Sequence, residues 1–159
     1  MALHQLHFQQ NLPATLEEAW DFFSSPRNLK TITPPEMGFD ITHGGENEKI
    51  HAGMIIAYTV RPLAGIPLEW VTEITHVRDK EFFIDDQRIG PYALWNHKHT
   101  FAETANGVLM EDVIHYRLPL GLIGDWINAL LVRKKIHHIF DYRREKIEII
   151  FQAGPPGRT

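Results

Sequence analysis

The sequence contains no cysteine. That removes disulfides, thiol nucleophiles and cysteine-ligated zinc, and it fits a reducing, cytoplasmic setting. It has no basic block, and its formal net charge is −4, so the electrostatic footprint of a nucleic-acid binder is missing. No apolar run approaches the roughly 20 residues of a membrane helix, so stable membrane insertion is not expected. No basic segment followed by an apolar run opens the chain, so no secretory signal is expected. There is no Ser-His-Asp arrangement or nucleophile elbow. Gly44-Gly45 and Gly90-Pro91 lack the strand-to-helix context of a phosphate loop and read as turns.

What is present suits one domain. The chain has 159 residues, 43% of them hydrophobic, an ordinary content for a globular fold. A domain over 1–152 is expected, followed by a flexible tail, 153–159, because Ala153-Gly154-Pro155-Pro156-Gly157 cannot continue a helix. Ten histidines is a high count; most are scattered, and only a cluster would make a site pH-responsive.

Leu3–Asn11 reads as a strand with one buried face, since Leu6 and Phe8 alternate with His7 and Gln9. Thr15-Leu16-Glu17-Glu18 fits a capping box, and Leu16, Ala19, Trp20 and Phe23 follow at helical spacing, giving a short helix over Thr15–Ser24. Ser25-Pro26 signals a second, over Arg27–Thr31, with Ser as cap and Pro in the first turn. From Met37 the period becomes two. Strands are expected over Met37–His43, Met54–Arg61, Glu69–Arg78, Phe82–Gln87, Tyr92–Ala102 and Val108–Leu118, with Asn106-Gly107 marking the last hairpin. From Asp125 to about Phe151 the chain reads as helix. Ile123, Trp126, Ile127, Leu130 and Leu131 share one face. Val132, Ile136, Ile139, Phe140, Ile147 and Phe151 share another, a phase change that predicts a kink. Arg133-Lys134-Lys135 with His137-His138 reads as a solvated face.

Short connections imply antiparallel neighbours. The fold class is therefore α+β: a curved antiparallel sheet of six to seven strands wrapped round a long C-terminal helix, with two short helices after the first strand, a helix grip. A curved sheet and a rod cannot touch along their whole length, so a cavity between them is the natural by-product.

The stretch Phe82–Phe101 is dense in polar and aromatic groups. Alternation places Ala93, Trp95, His97, His99 and Phe101 on one face, and Met110, Asp112, Ile114, Tyr116 and Leu118 on one face of the next strand. Asp85 and Gln87 join Phe83 on theirs. Adjacent Asp85 and Asp86 point to opposite sides and cannot share a proton. Burying the inward polar set is costly unless its members pair.

Several strings resemble a bacterial branch of the START/Bet v 1-like (SRPBCC) superfamily, described as ligand-binding proteins. They are Asn28-Leu29 with Thr33-Pro34-Pro35, Gly53 before a strand, Pro67 with Trp70, and Phe83-Ile84-Asp85 with Gln87. Gly90-Pro91, Trp95-x-His97-x-His99-x-Phe101 and Asp112-x-x-x-Tyr116-x-Leu118-Pro119 complete the set. The likeness spans about residues 5–150. It implies a hydrophobic-ligand pocket without choosing the ligand, since such folds host carriers, hormone and allergen binders, and polyketide cyclases and aromatases.

Three readings of His97-x-His99 stay open. One is a metal pair completed by Asp112 or Asp85, although no resident metal or cofactor is expected. Another is acid–base catalysis by an imidazole polarised by Asp112 or Asp85. The favoured one is a hydrogen-bonded network that fixes the sheet or orients a ligand's polar end. Candidate ligand-binding residues are Trp70, Phe83, Asp85, Gln87, Trp95, His97, His99, Met110, Asp112, Tyr116, Leu130 and Phe140. The expected function is binding of a small apolar or amphipathic molecule. The alternative is a cyclase, aromatase or hydratase, with His97, His99 and Asp112 as candidate catalytic groups. A surface-acting interaction module is a third reading, with no protein partner identified.

Overall fold

Antiparallel pairing organises the molecule. In the computed structural model, which describes residues 2–45, 48–61, 65–119 and 131–152, seven strands form one sheet in the order β1-β7-β6-β5-β4-β3-β2. They are β1 (His4–Leu12), β2 (Asp40–His43), β3 (Met54–Val60), β4 (Leu68–Arg78), β5 (Phe82–Ile89), β6 (Leu94–Thr104) and β7 (Gly107–Arg117). Strands β2 to β7 meander, while β1 leaves the sheet through α1 (Leu16–Phe23) and α2 (Asn28–Thr31) and pairs with β7 at the far edge. A long helix, α3 (Arg133–Gln152), packs against the concave face.

The capping box forms. Thr15 Oγ1 accepts from the Glu18 N–H at 3.2 Å, and Glu18 Oε2 accepts from the Thr15 N–H at 2.9 Å. This satisfies two donors that a helix start leaves orphaned, and α1 then buries Ala19, Trp20 and Phe22. Ser25 does not cap α2. Residues 25–28 instead form a tight turn closed by Asn28 N–H to the Ser25 carbonyl at 3.0 Å. The strand expected from Met37 starts at Asp40, because Pro35–Met37 coil into one 3₁₀ turn that ends on left-handed Gly38. Gly107 closes the last hairpin, where a Cβ would stand 2.1 Å from the Leu12 carbonyl oxygen, so only glycine fits.

Two β-bulges interrupt the register of β4 with β5, one with Arg88 as the extra residue in β5 opposite Val71 and Thr72, the other with Thr75 as the extra residue in β4 between Ile74 and His76. Bulges bend a strand and raise its twist, and here they help curve the sheet round α3. The helix buries Ile136, Phe140, Arg143, Ile147 and Phe151, a stripe at steps of four, three, four and four. Residues 131 and 132 form a π-type turn ahead of it, and Leu131 is exposed. The remainder of the expected helix from Asp125, with its phase change, and the tail 153–159 lie outside the described residues. No described helix is long and apolar enough to cross a membrane.

The interior has two ends. At one, Trp20, Phe101, Val108, Met110, Ile147 and Phe151 pack as solid core. At the other, α3 rests on β1 and β7 through Leu6, Ile114, Tyr116, Ile136 and Phe140, with Phe8 stacked on Phe140 at 4.2 Å. Between α3 and strands β3 to β6 the sheet stands away from the helix.

Candidate functional site

That separation leaves a cavity of about 210 Å³, more than ten times the roughly 10–15 Å³ that one water requires. Its sheet wall carries Ile56, Tyr58 and Val60 from β3, Trp70, Thr72 and Ile74 from β4, Phe83 and Asp85 from β5, and Trp95, His97 and His99 from β6. Its helix wall carries Lys135, Ile136, Ile139, Phe140 and Arg143. Phe22, Phe23, Leu29, Ile32, Met37 and Phe39 close the remaining side.

Register builds the polar centre. Asp85 stands directly opposite His97, and His99 directly opposite Asp112. In an antiparallel sheet each side chain also reaches its diagonal neighbour, so the four residues close a ring. His97 Nε2 hydrogen-bonds Asp112 Oδ1 at 2.9 Å, and His99 Nε2 hydrogen-bonds Asp85 Oδ2 at 3.0 Å. His97 Nδ1 lies 3.4 Å from Asp85 Oδ2, and His99 Nδ1 lies 2.8 Å from Asp112 Oδ1. The last contact is short but poorly aligned, and it acts as a charge contact rather than a hydrogen bond. The imidazole centroids are 3.8 Å apart, and His99 stacks on Phe83 at 4.1 Å.

This arrangement drives the two imidazoles in opposite directions. Burial and the charge of His99 hold His97 below its ordinary value, against the pull of Asp85 and Asp112. Burial also opposes the charge on His99, but Asp112 and then Asp85 more than offset it and raise the group. Burial opposes ionisation of Asp112 and Asp85 as well, and the two histidines overcome it, so both carboxyls stay below the usual range. Between the pKa values of the two rings the quartet thus holds two carboxylates, an imidazolium at His99 and a neutral imidazole at His97.

Asp85, His97 and His99 each offer a ligand atom, all within 4.8 Å of one another, a set able to hold a cation. Every ring nitrogen of the pair already faces a carboxylate oxygen, so a metal would have to displace the proton that binds the quartet together.

No protein-family model matches the sequence, and neither does a curated relative. Solved structures match closely in shape. A protein from Mycobacterium smegmatis has TM-score 0.69 at 15% identity, with 96% of this chain and 98% of that one covered. A protein from Chromobacterium violaceum has TM-score 0.70 at 14% identity, covering 93% and 97%. Ginseng major latex-like protein 151 from Panax ginseng has TM-score 0.70 at 14% identity, covering 95% and 99%. The fold is the START/Bet v 1-like helix grip.

Within the helix grip, Trp70, Phe83, Asp85, Trp95, His97, His99 and Phe140 border the cavity. Four expected residues do not border it. Asp112, the quartet's fourth member, instead borders a small crevice beside Gln9, Gln10 and Arg143. Met110 faces Phe101 in the packed core. Tyr116 is fully buried against Tyr92 and Trp95. Gln87 clamps a turn, donating to the Tyr92 carbonyl at 2.7 Å while its Oε1 accepts from the Tyr92 N–H at 3.3 Å. The physical reason for Met110 and Tyr116 is that an inward-facing residue meets the cavity only where the helix stands off, and α1 and α3 cover β7. Leu130 lies outside the described residues. Nor are Lys135 and His137 part of a solvated face, since Lys135 borders the cavity and His137 packs on the Phe8 ring at 5.3 Å.

The residues missed at the sequence level are Tyr58, Thr72 and Arg143. The Tyr58 hydroxyl lies 3.0 Å from Thr72 Oγ1, which also accepts from Trp70 Nε1 at 3.1 Å. Burial raises the Tyr58 hydroxyl, with Asp85 adding to it. Arg143 is 9% exposed and occupies the apolar stripe of α3 between Phe140 and Ile147. The signal was present as a gap in that stripe, filled by a cation.

Proposed function

We propose that this protein binds a small apolar or amphipathic molecule between the curved sheet and α3. The observation that carries the reading is the cavity itself: a mostly apolar hollow with one polar centre on its wall, the usual construction of a small-molecule site. Phe83, Trp95, Ile56 and Phe140 supply contact area, and the quartet with Arg143 orients a polar end. A sequence without cysteine suits a cytoplasmic carrier of one domain. Native mass spectrometry of the purified protein, with displacement of a lipophilic dye, tests it. Dye is expected to bind the wild type and to be excluded by Ile56→Trp, which fills the hollow. Equal dye binding by both proteins overturns the reading.

A second reading rests on the paired imidazoles. Two titratable groups pushed apart in a cavity wall form a ready acid and base, which suits a cyclase or hydratase. In that case His97→Gln and His99→Gln would abolish turnover of a cyclic or polyketide-like substrate while dye binding persists. Normal turnover in both variants removes it.

A further inference from the structure

Arg143 is the one charged residue in the buried stripe of α3. Its Nε is buried with no hydrogen-bond partner. Among the described residues its guanidinium makes no hydrogen bond and no ion pair, and it lies over the Phe140 ring, its carbon 4.7 Å from the ring centroid. Asp85 and Asp112 are close enough to favour its charge, yet neither carboxylate reaches it. One oxygen of each, Asp85 Oδ2 and Asp112 Oδ1, is shared by His97 and His99. A buried cation without a partner is strongly unfavourable, and an apolar residue would complete the stripe without that cost. The side chain borders the large cavity on one side. On the other it borders a water-sized crevice of about 10 Å³ beside Gln9, Gln10 and Asp112. A water there can serve one donor, and the five-donor fork of arginine leaves the rest facing the cavity.

We propose that the molecule bound in this cavity carries a single carboxylate on an apolar body, and that Arg143 receives that carboxylate. The inference rests on the ligand-binding reading above and adds the chemistry of the ligand's polar end. A planar guanidinium matches a carboxylate through two parallel hydrogen bonds. The charge count points to one negative charge rather than two. Facing Arg143 are Asp85 from β5, His97 and His99 from β6, Asp112 from β7 and the neutral Tyr58 from β3. With one imidazolium and Arg143 against two carboxylates, the polar centre is balanced, and Lys135 stands eight residues away on the helix wall, about 12 Å along its axis. One added carboxylate can be matched by a proton on His97. A second negative charge at that centre would meet two fixed carboxylates with no further group beside Arg143 to offset it.

The experiment compares dodecanoate, dodecanol and dodecylamine, three probes with one chain and different heads, by dye displacement on wild type, Arg143→Gln, Arg143→Lys and Lys135→Gln. The wild type is expected to prefer the acid over the alcohol by about tenfold or more, the worth of a charge-assisted hydrogen bond. Arg143→Gln is expected to lose that preference while binding the alcohol as before. Arg143→Lys is expected to keep part of it, and Lys135→Gln all of it. If the wild type binds acid and alcohol equally, the proposal is overturned while the pocket reading stands. Loss of the preference in Lys135→Gln but not in Arg143→Gln also overturns it. If no probe displaces dye and no dye binds, the pocket reading itself fails. The head-group series on wild type decides the matter even where Arg143→Gln does not fold.

Discussion

Phe101 and His97 stand on the same face of β6, four residues apart, and their surroundings have nothing in common. Phe101 is enclosed by Trp20 at 5.6 Å, Phe23 at 5.5 Å and Phe83 at 6.2 Å, with Met110 directly opposite. His97 is enclosed by two carboxylates and a second imidazole, and it looks into a hollow. The helix repeats the contrast. Ile147 and Phe151 enter the solid core, while one turn earlier Arg143 faces open volume. One end of the interface is therefore built for stability and the other for occupancy. The division follows where α1 closes against the sheet: at the packed end it supplies Trp20, and at the other no described residue fills the space.

The sharpest break in this comparison comes from truncation. Phe101→Ala is expected to cost about 3–5 kcal/mol, the range for a fully packed aromatic, measured by urea unfolding. Trp95→Ala removes a larger ring from the hollow side and is expected to cost less, because Trp95 is only half-buried and already borders open volume. Equal losses would mean that the two ends are packed alike. Overpacking gives the next largest effect. Val108→Phe is expected to destabilise by about 1–3 kcal/mol, whereas Ile56→Phe is expected to cost under about 1 kcal/mol because its extra atoms enter the cavity. A strongly destabilised Ile56→Phe would contradict a hollow at that point.

The smallest effect is in pH dependence, and it belongs to the polar end alone. His99 has a raised value in the folded protein, so its contribution is complete below the unfolded value of about 6.5 and is lost as pH rises through the folded one. His97 has a lowered value, so the unfolded chain binds a proton that the folded protein refuses, and stability falls as pH drops below about 6.5. Asp85 and Asp112 add a further loss at lower pH, as they protonate. Urea midpoints from about pH 5 to about pH 9 are expected to decline on the alkaline side less in His99→Gln, and on the acid side less in His97→Gln. The same sign for both variants would refute opposite roles for the two rings.

Much of this was legible in the residues. The capping box at Thr15, the alternation along β6 and β7 and the stripe of α3 are local patterns, and the inward orientation of His97, His99 and Asp112 follows from the pleat. Resemblance in motif strings also agreed with the fold, even though sequence identity to the solved structures is only 14–15%. The turn at Pro35–Met37 was not legible, because alternation in a short run says nothing about the residue at which a strand begins. Met110 and Tyr116 were assigned to the pocket on the same orientation rule, which does not say which part of the sheet the helices cover.

The chain's own periodicity determined which side chains turn inward, because in a strand that depends only on the residue's place in the pleat. Tertiary structure alone decided that each imidazole would meet two carboxylates, because register couples residues more than ten positions apart through three strands. It also decided that Arg143, the lone cation in an apolar stripe, would end facing open space: where a helix stands away from a curved sheet is set by their joint shape, and no single segment encodes it.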